Sequence, residues 1–436
     1  MQIRFELEWQ PTFAPDLPEG ATFAALKVTL GSETVTEVED CIAQTLRDSV
    51  FVSAYPLAMF LAENWWRLRW EPAISRNDAA WRLRHCVSAA GDGYNWPNLE
   101  FASDGESILA QMRASTSSPT AQVRYVNNLA EFILAKNFEA SVDRLFDTVL
   151  ARLDAVGHRG GELSELISEL RAERNDPEVS RWRRLEAMTG FDPGEAGEDF
   201  MTGLLGAIDS IGWSSLQELA ASSRDRALQD LVELREEMSS HGINFHLEAL
   251  DQLRQAVADS VDDPIQPPWS RAAAAARTTR QSLGLNGEAV PNRRLAEIFD
   301  MPEGALETGA HVAKLYSASL RSDHSDQGQL IVDKRIGTGR RFAVCRLLGD
   351  KLYGQDNNNE RLSTATEAAT ARQKFQRAFA QELLCPFDEL MGLVGKDSPT
   401  DDEMDSAAEH FQVSPLLVRT TLVNRGALPR DRLDVW

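Results

Sequence analysis

No run of 18 or more apolar residues occurs in the 436-residue chain, which excludes a conventional membrane-spanning helix. The first residues, MQIRFELEWQ, lack the basic start, apolar centre and small-residue cleavage site of a secretory signal, so the expected location is the cytoplasm. Cysteine is scarce. Cys41, Cys86, Cys345 and Cys385 lie too far apart for a CxxC pair, and a chain this long can bury a core without disulfides, so packed thiols are expected. The seven histidines, His85, His158, His241, His246, His311, His324 and His410, include no HExxH; His241 and His246, five apart, do not share a helix face. No Walker A or GxGxxG loop is present, GTGRR being only a glycine turn, so a nucleotide enzyme is not indicated and no cofactor or metal is expected.

What the chain does have is apolar residue at 43%, enough for two or three cores, and a formal net charge of −22, which opposes non-specific binding to nucleic acid or anionic membrane. The charge is segregated. Residues 270 to 380 hold 17 Lys and Arg against 12 Asp and Glu, while the remainder holds 28 against 55.

Alternation of β-branched or aromatic with polar residues predicts strands at QIRFELEW, AALKVTL and SVFVSAY. Helices follow at LAMFLAENWWRLRW and NDAAWRLRHCVSAA, and then a hairpin forms from LEFAS and SILAQMRAS around Asp104-Gly105. This gives an N-terminal α+β domain over 1–135. From 136 to 259 only helical periods appear, in NFEASVDRLFDTVLARLDAV, ELSELISELRAER, DPEVSRWRRLEAMTG, SLQELAASS and DRALQDLVELREEMSS, and they predict a helical domain. The proline-rich 260–270 reads as a linker, and 271–436 as a third domain. The class is α+β, predominantly helical.

Trp65, Trp66 and Trp70, with Trp81 and Trp96 after them, alternate with charges. Aromatics beside arginines can stack a ligand, making Glu63, Asn64, Arg67 and Arg69 the polar groups of a candidate ligand or partner site. The alternative is burial of the tryptophans against the N-terminal sheet.

Several pieces of the last third occur in an order that resembles the ImmA/IrrE family of zinc metallopeptidases. They are the helix SRAAAAARTTRQSLGL, the short helix RRLAEIFDM, the strand-turn-helix GQLIVDKRIGTGRRFAVCRLLGDKLYG, the second core helix ARQKFQRAFAQELLCPFDEL, and the tail DEMDSAAEHFQVSPLLVRTTLVNRGAL with its Phe-x-Val-Ser. The resemblance implies a zincin-like domain with a helix-turn-helix-like tail. A zincin needs two histidines at i and i+4, a glutamate beside the first to deprotonate metal-bound water, and a third ligand from the next helix. Here Arg346 stands at the first histidine position, Leu347 at the glutamate, Asp350 at the second histidine and Gln373 at the third ligand, while Gly349 keeps the family's glycine. A permanent guanidinium cation repels a dication, and an Arg346–Asp350 ion pair at helical spacing is a candidate filler. The degenerate motif therefore implies a regulatory or partner-binding pseudopeptidase, with a protein partner and a family link to stress response, mobile-element regulation or defence.

Three further readings follow from the residues. Lys334, Arg335, Arg340, Arg341 and Arg346 can present cations to a phosphate, nucleic acid or acidic partner, or pair with the acidic helices. Cys345 beside Arg346 raises a thiol nucleophile, against a packed cysteine. Within 402–428, a DNA reader would use Arg419, Thr420 and Asn424 on bases and Arg425 on phosphate, although Asp401, Asp402, Glu403, Asp405 and Glu409 oppose approach to a duplex. A hydrolase with an unrecognised site is the remaining alternative. No small-molecule ligand is specified.

Overall fold

The computed structural model describes all residues except 12–13, 15, 74–77, 117–121, 248–249, 261–265, 286, 323–324, 354–359, 396–398 and 434–436. Helix makes up 54% and strand 17%, so the class is α+β and mainly helical. None of the described helices is long and apolar enough to cross a membrane. The chain divides into two compact units, Met1–Thr202 and Gly203–Trp436. The helices expected as a separate domain over 136–259 are shared between these units, because each set has its apolar partners there. Residues 261–265 of the expected linker, and His324, lie outside the described residues.

In the first unit, strands β1 (Ile3–Trp9), β2 (Phe23–Leu30), β3 (Glu33–Thr34), β4 (Val38–Asp40), β5 (Thr45–Arg47), β6 (Val50–Ser53), β7 (Asn98–Ser103), β8 (Ser107–Arg113), β9 (Val123–Tyr125) and β10 (Leu129–Leu134) form three antiparallel sheets. The first sheet has β2 between β1 and β6, with Leu7 opposite Leu26 and Ala24 opposite Val52. Alternation along β2 turns Ala24, Leu26, Val28 and Leu30 inward, the period of two that marked it as a strand. The β7–β8 turn is made as its sequence demands: Gly105 takes φ +95, and Asp104 Oδ1 accepts the Glu106 and Ser107 amides.

Helices α1 (Pro18–Ala21), α2 (Ala54–Glu63), α3 (Trp65–Trp70), α4 (Ala79–His85), α5 (Ala135–Ala155), α6 (Glu162–Asn175) and α7 (Pro177–Met188) pack with these strands. α5 belongs here because Phe138, Val142, Leu145, Phe146 and Val149 share the core of β1, β8 and α2. The helix expected across 57–70 is two, since the Asn64 side-chain amide donates to Phe60 O at 2.8 Å and ends α2. The tryptophans are core residues: Trp65, Trp66, Trp81 and Trp96 are buried, and Trp66 Nε1 donates to Glu173.

The charges between them are absorbed as well. Glu71, fully buried, accepts Arg67 Nε at 2.6 Å and Nη2 at 3.1 Å and lies 3.0 Å from His85 Nε2. The other His85 nitrogen faces Phe101 O at 2.9 Å, and Trp81 stacks on the ring at 3.9 Å. Burial would push the Glu71 carboxyl up, but His85 and Arg67 outweigh it and hold it below the ordinary range.

α8 (Glu198–Gly206) contains the boundary. The second unit continues with α9 (Ile208–Ile211), α10 (Trp213–Ser223), α11 (Ala227–His241), α12 (Leu250–Ser260), α13 (Pro268–Ser282), α14 (Asn292–Phe299), α15 (Gly337–Lys351), α16 (Ala371–Leu384), α17 (Phe387–Leu393), α18 (Asp401–Phe411) and α19 (Pro415–Asn424). Its antiparallel sheet runs β11 (Ile243–His246), β13 (Gln327–Ile331), β12 (Ser317–Arg321), β14 (Leu362–Ala365). β11 falls in a stretch that reads as helical throughout; pairing with β13, Ile243 opposite Leu330, makes these four residues a strand. α13, α15 and α16 carry the core around Phe375, Phe379, Leu347 and Leu383.

Replacing Glu71 with Ala would leave buried His85 without its carboxylate and Arg67 with Asp192 alone. A loss of about 3–5 kcal/mol is expected, read as a lower urea midpoint with an unchanged m-value.

Candidate functional site

The four positions that the resemblance assigns to zinc chemistry are all buried, and three of them meet between α15, α16 and the edge strand β14. Gly349 allows this approach: a Cβ there would meet the Phe379 ring at 2.8 Å, so only glycine lets α15 lie this close to α16. Leu347 packs in the apolar core. Arg346, Asp350 and Gln373 enter a polar network that reaches back to α10.

Gln373 organises it. Its Nε2 donates to Thr364 O at 2.8 Å and to Glu218 at 3.0 Å, and its Oε1 accepts the Thr366 amide at 2.9 Å and Arg346 Nη2 at 2.7 Å. Two donors and two acceptor sites are all used. The pair of bonds to Thr364 O and Thr366 N–H is the pattern by which a residue of a parallel strand grips the residues flanking its neighbour, here Ala365. The side-chain amide thus stands in for an added strand at the end of β14. Gln376 Nε2 donates to the same Thr364 O at 3.0 Å, and Ser215 Oγ of α10 donates to Leu362 O. The outer carbonyls of β14 at 362 and 364 are taken.

The Arg346–Asp350 pair that helical spacing suggests does not form. Arg372, on the facing helix, approaches Asp350 with both prongs of its guanidinium, Nε at 2.5 Å and Nη2 at 2.7 Å, and Gln376 adds a bond at 2.7 Å. A bidentate fork from α16 has better geometry than a neighbour one turn along α15. Arg346 turns instead to Gln373 and Thr366 O, with exposed Glu367 at 3.8 Å. Burial, then the like charge of Arg377, pulls Arg346 down to about 10. At Asp350 burial acts upward, but Arg372 outweighs it and holds the carboxyl below its usual value.

Glu218 completes the network and was not singled out by sequence. It sits in α10 among Leu216, Leu219 and Ala220, all buried, and accepts Thr370 Oγ1 at 2.8 Å as well as Gln373. Burial pushes its carboxyl up, Arg372 opposing. Glu360 fixes the start of α10 by accepting Ser214 N at 2.9 Å and Ser215 N at 2.6 Å, with Ser215 Oγ 2.7 Å away. No motif announces Glu218 or Glu360; each matters only because the fold brings α10 against β14.

Chemically the centre offers little. No group of three or more His, Cys, Asp or Glu among the described residues could hold a metal ion. Cys345 is fully buried, and burial pushes its thiol up to about 12, so it carries no thiolate at neutral pH.

The remaining candidates are dispersed. Arg340 donates to Ala305 O, His311 O and Lys334 O, and Arg341 to Val290 O and Asn292, both from buried positions; Lys334 pairs with Asp333, and Arg335 is exposed. Of the cations that the sequence offered either to a ligand or to pairing, Arg340, Arg341 and Arg346 are turned inward. In the first unit Glu63 is exposed, Arg67 binds Glu71 and Asp192, and Arg69 binds Glu139 and Gly105 O while lying 3.7 Å over Trp70. Along α19, Arg419 pairs with Asp401, Thr420 bonds Leu416 O, Arg425 pairs with Glu382, and Asn424 is exposed.

Gln373→Ala should cost about 2–4 kcal/mol in urea denaturation, since it strips partners from a buried carbonyl, an amide and Arg346 together. Glu218→Gln has the opposite sign. A carboxyl whose folded pKa is raised stabilises fully only below its unfolded value and costs stability as pH rises, so the neutral amide should raise Tm at pH 7.5, with the gain shrinking towards pH 4. No protein family, curated protein or solved structure matches this chain.

Proposed function

We propose that the second unit is a non-hydrolysing relative of the ImmA/IrrE metallopeptidases, retained as a regulatory or partner-binding scaffold. The observation that carries this reading is the state of Gln373. At the third-ligand position it spends its whole hydrogen-bonding capacity on the end of β14, on Arg346 and on Glu218. A peptidase of this kind needs a vacant coordination site beside a strand edge that can take a substrate chain. In this unit the residues at two positions that the resemblance assigns to ligands, Arg346 and Gln373, are bonded to each other, and the outer carbonyls of the strand are already bonded. A protein partner in stress response, mobile-element regulation or defence is the role that agrees with the resemblance.

The test is elemental analysis of the purified full chain beside the Arg346→His, Asp350→His, Gln373→Glu variant. The natural chain should carry no stoichiometric zinc and cleave no protein substrate in a chelator-sensitive way. About one zinc per chain, or cleavage abolished by a chelator, would overturn the reading and point to ligands elsewhere.

A further inference from the structure

In the second unit, outside the Gln373 network, His241 and His311 stack face to face, with ring centroids 4.1 Å apart and planes 9° from parallel. His241 is the last residue of α11; His311 lies in the segment leading to β12. Glu237, one turn before His241 and buried, lies 3.0 Å from His311 Nε2 and accepts the Lys314 amide at 3.2 Å. The rings form part of a cavity of about 470 Å³ that Glu233, Glu236 and Lys314 also line.

Each ring has negative charge beside it. The C-terminal end of α11 carries partial negative charge beside His241, and the Glu237 carboxylate faces His311. Taken together they conflict, because two imidazolium cations at stacking distance repel. Of the two rings, Glu237 bonds that of His311; Glu233 and Glu236 soften the repulsion across the cavity, and Lys314 adds to it. The backbone under His311 is held separately, by Arg340 Nη1 donating to His311 O at 2.8 Å, so the ring contact can part without the segment unfolding.

We propose that this stack is an acid-operated clasp between the end of α11 and the 311–314 segment. It is closed while at most one imidazole is charged and opens when both are, freeing His241 and widening the mouth of the cavity. Imidazole side chains change charge between about pH 5 and pH 8, so the clasp answers to mild acidification. It is independent of the scaffold reading, since none of its residues takes part in the Gln373 network.

The experiment uses the full chain with labelled histidine and phenylalanine and follows ring-to-ring nuclear Overhauser contacts at pH 8 and pH 5, with far-ultraviolet circular dichroism as the check on folding. The contact should be present at pH 8 and lost at pH 5 with the helical signal unchanged. In His241→Phe, which keeps a flat ring but removes one charge, the contact between the substituted ring and His311 should survive at pH 5. A natural chain that keeps its stack at pH 5 or lacks it at pH 8 overturns the clasp. So does a His241→Phe chain that loses the contact equally, or a loss that comes with general unfolding.

Discussion

The second unit depends on arginines that bind backbone carbonyls. A guanidinium has five donors in a rigid fork and cannot shed its proton, so wherever it is buried the surrounding chain must supply acceptors. Arg280 reaches Leu383 O and Glu288 O, Arg340 reaches three carbonyls on three segments, Arg341 reaches Val290 O, and Arg346 and Arg377 converge on Thr366 O. These carbonyls lie in loops and at the ends of elements, where neither helix nor sheet would satisfy them. The arginines therefore fasten irregular backbone to α13, α15 and α16. Their electrostatic cost is visible: burial lowers the pKa of Arg280, Arg340, Arg341, Arg346 and Arg377 alike.

That cost explains the charge segregation of the sequence. A stretch with more cations than anions looks like a surface that attracts polyanions, and counting residues cannot say which way they point. Several of those cations are interior fasteners, and the acidic excess elsewhere is left to dominate the solvent-facing charge.

What could be read from the sequence followed periodicity. β1, β2, the β7–β8 hairpin and the long amphipathic helices are set by local patterns, and the pair α18–α19 is framed by the Thr400–Glu403 capping box and the Ser414 cap. Short elements escaped because pairing alone defines them: β11 is a strand through β13, and β10 through β8. The division into two units was also not legible, since it depends on which core each helix joins. At the candidate centre, Arg346 bonds Gln373 and Asp350 joins the same network through Gln376, but the other partners are contributed by Arg372 and Glu218, and long-range pairing leaves no trace in spacing.

The strand-like grip of Gln373 bears on which single substitutions this chain tolerates. A carboxylate at 373 would retain the acceptor for Thr366 N–H but lose the donors to Thr364 O and Glu218, setting two buried oxygens against a third. A histidine at 346 would meanwhile give up the guanidinium that shares Gln373 Oε1 and Thr366 O. Each of these single substitutions leaves the centre less stable than the natural pairing, and only concerted replacement of the partners avoids that. The amide at 373 is thus a keystone: stability alone is enough to hold a glutamine at this end of β14.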